Sequence, residues 1–228
     1  MAAFDASSFF SGSGAGPVTG AHTCSGSDRA LCVNVHIYDS GDSPTGVTYN
    51  GVALSFIGSA SNGQYSVYQF YLIAPASGAN TVSVTLSGPV FDVGVSVVSM
   101  TGVHQSTAIG TSASASGSDT TPTVDVSSAV SDLVLDGLVM VHSGTLSVGA
   151  GQTARVNAVT GNAFIKYASS TEDGASTTTM SWSNTTSQAW AIMSTPFKSS
   201  SGAPPGQAVA KRFGGVPYLN SSFSPRIW

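Results

Sequence analysis

Carboxylates are the first side chains in this sequence whose spacing can be tested against a known chemistry. Acid–base cleavage of a glycosidic bond needs two acids that face the same bond. The chain has a single glutamate, Glu172, next to Asp173 in a predicted turn. Asp132 and Asp136 flank an apolar segment, and positions at the ends and edges of a strand account for both. The spacing therefore indicates no catalytic pair of carboxylates.

Candidate metal ligands are also sparse. Asp39 and Asp42 lie in a predicted turn, where they could ligate Ca²⁺ with backbone carbonyls, although aspartate commonly serves to form the turn itself. His22 precedes Cys24 by two residues, so a strand could present both on one face, but a structural zinc site needs four ligands. We predict no metal site. The remaining histidines are scattered along the chain, and we interpret the first and last as sheet residues: His36, His104 and His142.

Motifs that activate a nucleophile or bind a phosphate are absent from the sequence. It contains no Gly-x-Ser-x-Gly elbow, no Ser-x-x-Lys pair, no phosphate-binding loop and no Gly-x-Gly-x-x-Gly fingerprint. Serines are so abundant that some serine lies near some histidine in any fold. We therefore predict no catalytic residue, no cofactor and a protein that is not an enzyme.

Aromatic residues in predicted strands permit a second kind of chemistry, the stacking of rings on sugars. Tyr49, Tyr65, Tyr68, Tyr71 and Trp182 have the residue types that carbohydrate-binding modules use. Tyrosine in strands more often packs in the core or against a cross-strand neighbour. Both interpretations stay open at this point.

The last thirty residues differ in composition from the rest. Residues 199–206 are rich in Ser, Gly and Pro, as in a linker. Beyond them lie three basic residues, no acid, and aromatic side chains that are costly to leave in water. Such a tail either folds back on its own domain or docks on a neighbouring subunit, and interfaces favour aromatic and arginine anchors. We predict these partner-docking residues: Lys211, Arg212, Phe213, Tyr218, Phe223, Arg226 and Trp228.

Strand signals dominate the segment between the two ends. Residues 81–86 alternate apolar and polar side chains, as in a strand with one buried face. Residues 133–141 are nearly all apolar, as in a strand buried on both faces. Asn50-Gly51 is typical of a two-residue hairpin turn. We interpret residues 111–121 as a loop, and residues 123–133 are the one weak candidate for a short helix.

These signals predict an all-β fold, an antiparallel two-sheet sandwich of the jelly-roll or lectin-like kind with about a dozen strands. We assign residues 1–17 to an extended N-terminal arm, 18–198 to the sandwich and 199–228 to the linker and docking tail. Cys24 and Cys32 could form a disulfide across neighbouring strands, but buried free thiols are the better fit to a chain made in the cytoplasm.

The charge of the 228 residues indicates what the protein contacts. Charged residues make up 8% of the chain, against about 25% in an ordinary domain. The tail carries +3, and the body, with four bases and eleven acids, carries −7. Neither part is basic enough to predict nucleic-acid binding. The sequence has no secretory signal and no apolar run that predicts membrane insertion, so we expect a protein that leaves the cytoplasm by cell lysis or a non-classical route.

Five stretches resemble a known group of proteins. They are residues 22–31, 47–54 and 70–82, continued by 96–103, and the ending Arg212-Phe213-Gly214-Gly215-Val216-Pro217-Tyr218. These patterns are similar to β-sandwich domains of tailed-bacteriophage structural proteins and of some bacterial surface proteins. The resemblance covers about residues 19–105 and 211–218 and brings no active site with it.

The resemblance implies a virion component, most simply a capsid decoration or cement protein that binds the outer capsid surface. Its expected partners are the major capsid protein or other virion proteins and further copies of itself, for example as a trimer, with no nucleic acid and no membrane. The expected location is the virion, after synthesis in the host cytoplasm. Two alternatives remain: a tail or fibre module that binds host carbohydrate, and a bacterial surface adhesin.

Overall fold

The computed structural model describes residues 1–39, 41–141, 143–160 and 165–200, and within these ranges the chain forms antiparallel β-sheets and no helix. The all-β sandwich prediction is therefore confirmed. The strands are β1 (Ala3–Gly14), β2 (Val18–Cys24), β3 (Ala30–Tyr38), β4 (Pro44–Tyr49), β5 (Val52–Ala53), β6 (Ser55–Asn62), β7 (Tyr65–Ile73), β8 (Gly78–Leu86), β9 (Val90–Thr101), β10 (Ala113–Asp119), β11 (Thr123–Val126), β12 (Leu133–Val141), β13 (Leu146–Val148), β14 (Thr153–Val159), β15 (Ile165–Asp173), β16 (Thr178–Asn184) and β17 (Gln188–Phe197).

The strands are arranged as two jelly rolls in succession. The first has sheets of order β1-β9-β3-β7-β6 and β2-β8-β4-β5, and the second has sheets of order β10-β17-β12-β15-β14 and β11-β16-β13. Each strand of the first jelly roll except the short β5 has its counterpart in the second, at the same place in the same order. Both follow the two-Greek-key order of a jelly roll, with one added edge strand in the larger sheet. In the first jelly roll the chain crosses to the larger sheet near Leu54 and forms β6 at its edge, and β14 has the same place in the second. The sandwich thus has four sheets rather than two.

The two jelly rolls pack through their five-stranded sheets, related by a pseudo-two-fold axis parallel to the strands. Strand β3 lies over β12, β9 over β15, β7 over β17, β1 over β14 and β6 over β10. Because β3 and β12 both start in the same apolar cluster, at Ala30 and Leu133, the facing strands run in the same direction. The molecule therefore has two poles, one at each end of these strands.

Apolar residues fill three layers between the four sheets. One core lies inside the first jelly roll, around Leu31, Val33 and Val35, and another inside the second, around Leu138 and Met140. Two more clusters lie between the large sheets. Strands β3, β9, β12 and β17 are therefore buried on both faces, which accounts for their near-continuous apolar sequences and confirms the prediction for residues 133–141.

Polar side chains also join the two large sheets. Gln69 donates to the carbonyl of Met193 at 3.2 Å and accepts from the hydroxyl of Thr195 at 2.6 Å. The amide of Asn34 donates to the Ser96 hydroxyl at 3.1 Å and lies 3.4 Å from the Asp136 carbonyl. These buried bonds satisfy groups that would otherwise destabilise the interface and fix how the jelly rolls meet.

The N-terminal segment is a strand of the first large sheet rather than an arm outside the sandwich. Strand β1 pairs with β9 along most of its length, and Ala2 packs in the cluster between the jelly rolls. Its small Ser and Gly residues gave little strand signal, but an edge strand is stabilised by the ladder bonds of its neighbour. Phe10 packs on the first core and lies against Gly20.

Two other local predictions need correction, and one is confirmed. Residues 113–119 of the predicted loop form β10, paired with β17, and residues 123–126 of the weak helix candidate form β11. Both are short strands with exposed alternate residues, so the sequence has too few apolar positions in a row to indicate a strand. The Asn50-Gly51 hairpin is confirmed: both residues have positive φ and Tyr49 pairs with Val52.

The described chain ends at the pole where it begins. The Ser199 amide donates to the Asp132 carboxylate at 3.0 Å, and the Ser200 amide donates to the Gly102 carbonyl at 2.7 Å. The Ala2 amide, nearby, donates to the Ser131 carbonyl at 3.0 Å. All seven predicted docking residues lie outside the described residues.

Candidate functional site

An open polar cleft of about 220 Å³ lies at the pole opposite the chain termini. One wall is the β6–β7 hairpin, whose paired residues place four hydroxyl groups side by side. Ser59 pairs with Tyr68, and Ser61 with Ser66. Alternation along the strands turns these four toward the inside of the first jelly roll, while Ala60 and Val67 face the second.

The opposite wall is the segment that follows β3. Asp39, Gly41 and Asp42 line it. The Asp39 amide donates to the Gln64 carbonyl at 2.9 Å, which ties this wall to the tip of the hairpin, and Asp42 accepts from the Ser87 hydroxyl at 2.8 Å. Two carboxylates on one wall of the cleft therefore face a row of hydroxyls on the other wall.

In the second jelly roll, the described residues at the corresponding place carry other side chains. The register of β7 on β3 and of β15 on β12 aligns Ser66 with Lys166. The Lys166 ammonium donates to the Gly144 carbonyl, and Asn157, the counterpart of Ser59, donates to the Leu146 carbonyl at 3.1 Å. Long side chains bonded to backbone therefore fill in one copy the space that short serines leave open in the other.

Of the aromatic residues considered for sugar binding, the cleft contains one, Tyr68. Tyr49 and Trp182 belong to the cores, with exposed fractions of 0% and 2%, so the sugar-stacking role considered for them is wrong. Tyr65 lies on the other face of the sheet, stacked on Tyr38 at 5.3 Å. Tyr71 packs in the cluster between the jelly rolls.

Asp39 and Asp42 both line the cleft, but among the described residues no third His, Cys, Asp or Glu side chain joins them. Across the described ranges, no group of three or more His, Cys, Asp and Glu side chains is close enough to hold a metal ion. The carboxylates are available instead as hydrogen-bond acceptors.

His22 is the centre of a small polar group on β1 and β2. Its Nδ1 lies 2.9 Å from the Ser8 hydroxyl, and its buried Nε2 has no partner among the described residues. Burial lowers the pKa of His22 to about 4, against a smaller opposing effect of Asp5. Asp5 itself accepts from the Ser25 amide at 2.8 Å and the Ser99 hydroxyl at 2.7 Å rather than from the imidazole. A serine–histidine–aspartate relay needs the carboxylate on the second ring nitrogen, and this geometry differs from it.

The other histidines are placed by the sheets and loops. His36 is fully buried between the jelly rolls, with Nε2 3.1 Å from the Ser96 hydroxyl, and burial lowers its pKa to about 3. This agrees with its interpretation as a sheet residue. The Nδ1 of His104 accepts from the Thr107 amide at 3.1 Å and closes a loop. His142 lies outside the described residues.

Asp136 is the one buried carboxylate that sequence reasoning placed at a strand edge and the structure places in a core. It lies inside the second jelly roll, fully buried, and accepts from the Trp182 indole at 2.7 Å and from the Ser170 amide. Desolvation raises its pKa to about 7, although these two donors oppose the shift. Alternation along an apolar strand gave no sign that this position faces inward among apolar neighbours.

The other acids considered from the sequence, Asp132, Glu172 and Asp173, lie at the pole of the chain termini. Asp132 accepts from the Ala129 amide at 3.0 Å and from the Ser199 amide, and so has a structural role. Glu172 and Asp173 end strand β15 rather than form the predicted turn. They line a small open cavity of about 110 Å³ with Arg155, and burial raises the pKa of Glu172.

Both cysteines are free and buried. Cys24 faces the core of the first jelly roll and Cys32 faces the second jelly roll, so they lie in different layers. Burial raises the pKa of both thiols. The interpretation as free thiols is confirmed.

Comparison with known proteins adds no relative to this description. No family model matches the chain, and no curated protein or solved structure is significantly similar to it. In the described part of the chain, no helix of the length and apolarity needed to span a membrane is found.

Proposed function

We propose that this chain is a structural component of a tailed-phage virion, a decoration or cement protein that binds the outer surface of the capsid. The observation that carries the proposal is a duplicated jelly roll with a basic, aromatic segment attached at one pole. Jelly rolls are a recurrent architecture of viral capsid proteins. This support is a likeness of architecture, so the function has to be tested at the segment that makes contact.

The attachment point suits a docking segment. Backbone bonds from Ser199 and Ser200 fix the chain next to the N-terminus, so the 28 residues that follow start from one end of the body. Their +3 charge is opposite to that of the body. Charge of opposite sign steers association, and aromatic and arginine anchors supply contact energy. The proposed partners are the major capsid protein, other virion proteins and further copies of this chain, in trimers where the shell has local three-fold symmetry.

The test is occupancy on virus particles. The full-length chain with Arg212→Glu and Arg226→Glu, and a second variant with Phe213→Ala and Trp228→Ala, should occupy particles at least tenfold less than the wild type. Lys198→Glu is the matched control, since it changes charge by the same amount per site on the body, and it should leave occupancy unchanged. Equal occupancy of the wild type and both tail variants would contradict the docking role.

A reconstruction of the particle separates this proposal from its alternatives. Density for the two stacked jelly rolls on the capsid supports decoration, and density on a tail fibre supports the carbohydrate-binding module instead. A gene that lies among cell-surface genes, with no incorporation into particles, would support the bacterial adhesin.

A further inference from the structure

We infer that the cleft between the β6–β7 hairpin and the segment after β3 binds one neutral sugar unit, a hexose or N-acetylhexosamine at the end of a glycan. This site goes beyond the proposed virion role and does not depend on it. Its failure would leave the docking of the tail untouched.

Unused hydrogen-bonding groups are the first argument. Ser66 is only 8% exposed and lines the cleft. In the described part of the chain its hydroxyl has no hydrogen-bond partner, and neither do the side chains of Asp39, Ser59 and Ser61. These groups face the open cleft, so a ligand rich in hydroxyls can bond to Ser66 and to the carboxylate opposite at once.

The second argument is the combination of residue types. A neutral sugar has a rim of hydroxyls that both donate and accept, so it fits a cleft with acceptors on one wall and hydroxyls on the other. Asp39 and Asp42 supply acceptors, and the hydroxyls of the serines and of Tyr68 donate or accept as needed, while the Tyr68 ring packs on the core of the first jelly roll. The few convergent polar groups of a cleft are what fix the orientation of a small ligand.

Charge and size narrow the ligand class. Two carboxylates and no base line the cleft, so uronic acids, sialic acids and phosphorylated sugars would meet repulsion. Its volume of about 220 Å³ is below the ~300–1,000 Å³ of clefts that hold drug-sized molecules. The cleft therefore suits one ring, with the rest of the glycan in solvent.

The second jelly roll supplies a comparison within the same molecule. At the position of Ser66 it has Lys166, bonded to the backbone, and at that of Tyr68 it has Ala168, buried in the core. The fold therefore does not require a hydroxyl-lined gap at this corner. Among the described positions, the row of short hydroxyl side chains belongs to the first copy.

The test uses the full-length protein and isothermal titration with glucose, galactose, mannose and N-acetylglucosamine, with galacturonate as the anionic probe and CaCl₂ alone as the cation probe. At least one neutral sugar should bind. Asp39→Asn should weaken that binding at least tenfold, and Ser61→Lys, at an exposed position, should abolish it by placing a long cationic side chain in the cleft.

Two variants serve as matched controls. Asp125→Asn makes the same change on an exposed part of the second jelly roll and should bind like the wild type. Tyr68→Phe removes a hydroxyl from the cleft and should weaken binding, and its control on the same strand, Tyr71→Phe, should bind like the wild type. Absence of binding by all four neutral sugars, binding of galacturonate or Ca²⁺ alone, or equal binding by Ser61→Lys and wild type would each overturn the proposal. Unchanged thermal midpoints of the variants exclude misfolding as the cause of a loss.

Discussion

Asp136 lies where the first jelly roll has Val33, at the same position of the equivalent strand. An apolar residue needs no partner there, whereas the carboxyl needs both of its donors and still has a pKa raised to about 7 by desolvation. The folded protein therefore binds a proton at Asp136 more tightly than the unfolded chain does. Its contribution to stability is fully present below pH 4 and is lost as the pH rises toward 7.

We expect the difference in free energy of unfolding between wild type and Asp136→Asn to change with pH. Between pH 4 and 7 the wild type should lose roughly 1.4 kcal/mol per pH unit relative to the variant. The difference is the proper measure because His22 and His36, whose pKa values are lowered by burial, act with the opposite sign over the same range. Urea titrations at four pH values test this.

The control for this measurement is Asp125→Asn, at an exposed carboxylate. It should follow the wild type at every pH, within about 0.5 kcal/mol, as surface substitutions usually do. A constant difference between wild type and Asp136→Asn across the range would show that Asp136 does not take up a proton on folding.

At the scale of the strand, the two large sheets approach each other closely where β3 lies over β12. A Cβ on Gly137 would lie 2.7 Å from the Asn34 side chain, which is held by bonds to Ser96 and to the backbone. We therefore expect Gly137→Ala to lower the free energy of unfolding by about 1–3 kcal/mol, the usual cost of overpacking. Denaturant unfolding at one pH measures it.

Two comparisons make this prediction specific. Gly16→Ala should have little effect, since an added Cβ there has no neighbour within 4 Å. In an Asn34→Ala background, Gly137→Ala should cost much less, because the group that it meets is gone. Equal costs in both backgrounds would contradict a direct clash.

The elements that could be predicted from sequence are those whose burial pattern is strong. Residues 81–86 alternate because one face is buried, and residues 133–141 do not alternate because both are. Strands β1 and β10 were missed because they lie at sheet edges and are built of Ser, Ala, Gly and Phe, which obey no simple pattern. The order of strands in a sheet depends on pairing between residues far apart in the chain, and local sequence patterns do not predict that pairing.

Neither the cleft nor the duplication of the jelly roll could be predicted from the sequence, for related reasons. Ser59, Ser61 and Ser66 resemble every other serine of a serine-rich chain until the hairpin register sets them side by side. Equivalent strands of the two jelly rolls share burial and little identity, as Val33 and Asp136 show. Only the tertiary arrangement makes either feature visible.

At the scale of the whole molecule, the two jelly rolls share apolar clusters and buried hydrogen bonds, so we expect them to unfold together. Calorimetry at neutral pH should give a single transition, with an enthalpy of roughly 140 kcal/mol for the ~200 residues of the body. Leu135→Ala, in the cluster between the large sheets, should shift that transition to lower temperature without splitting it. Two resolved transitions in the wild type would contradict the prediction.

The pseudo-two-fold arrangement also sets the valency of the molecule. A symmetric dimer of one jelly roll would carry every surface feature twice, whereas a fused pair can carry the hydroxyl-lined cleft in one half and different side chains at the equivalent positions of the other. Each chain then binds one sugar unit at a single site. Strong adhesion would come only from an array, in which many chains held at fixed spacing bind one surface together.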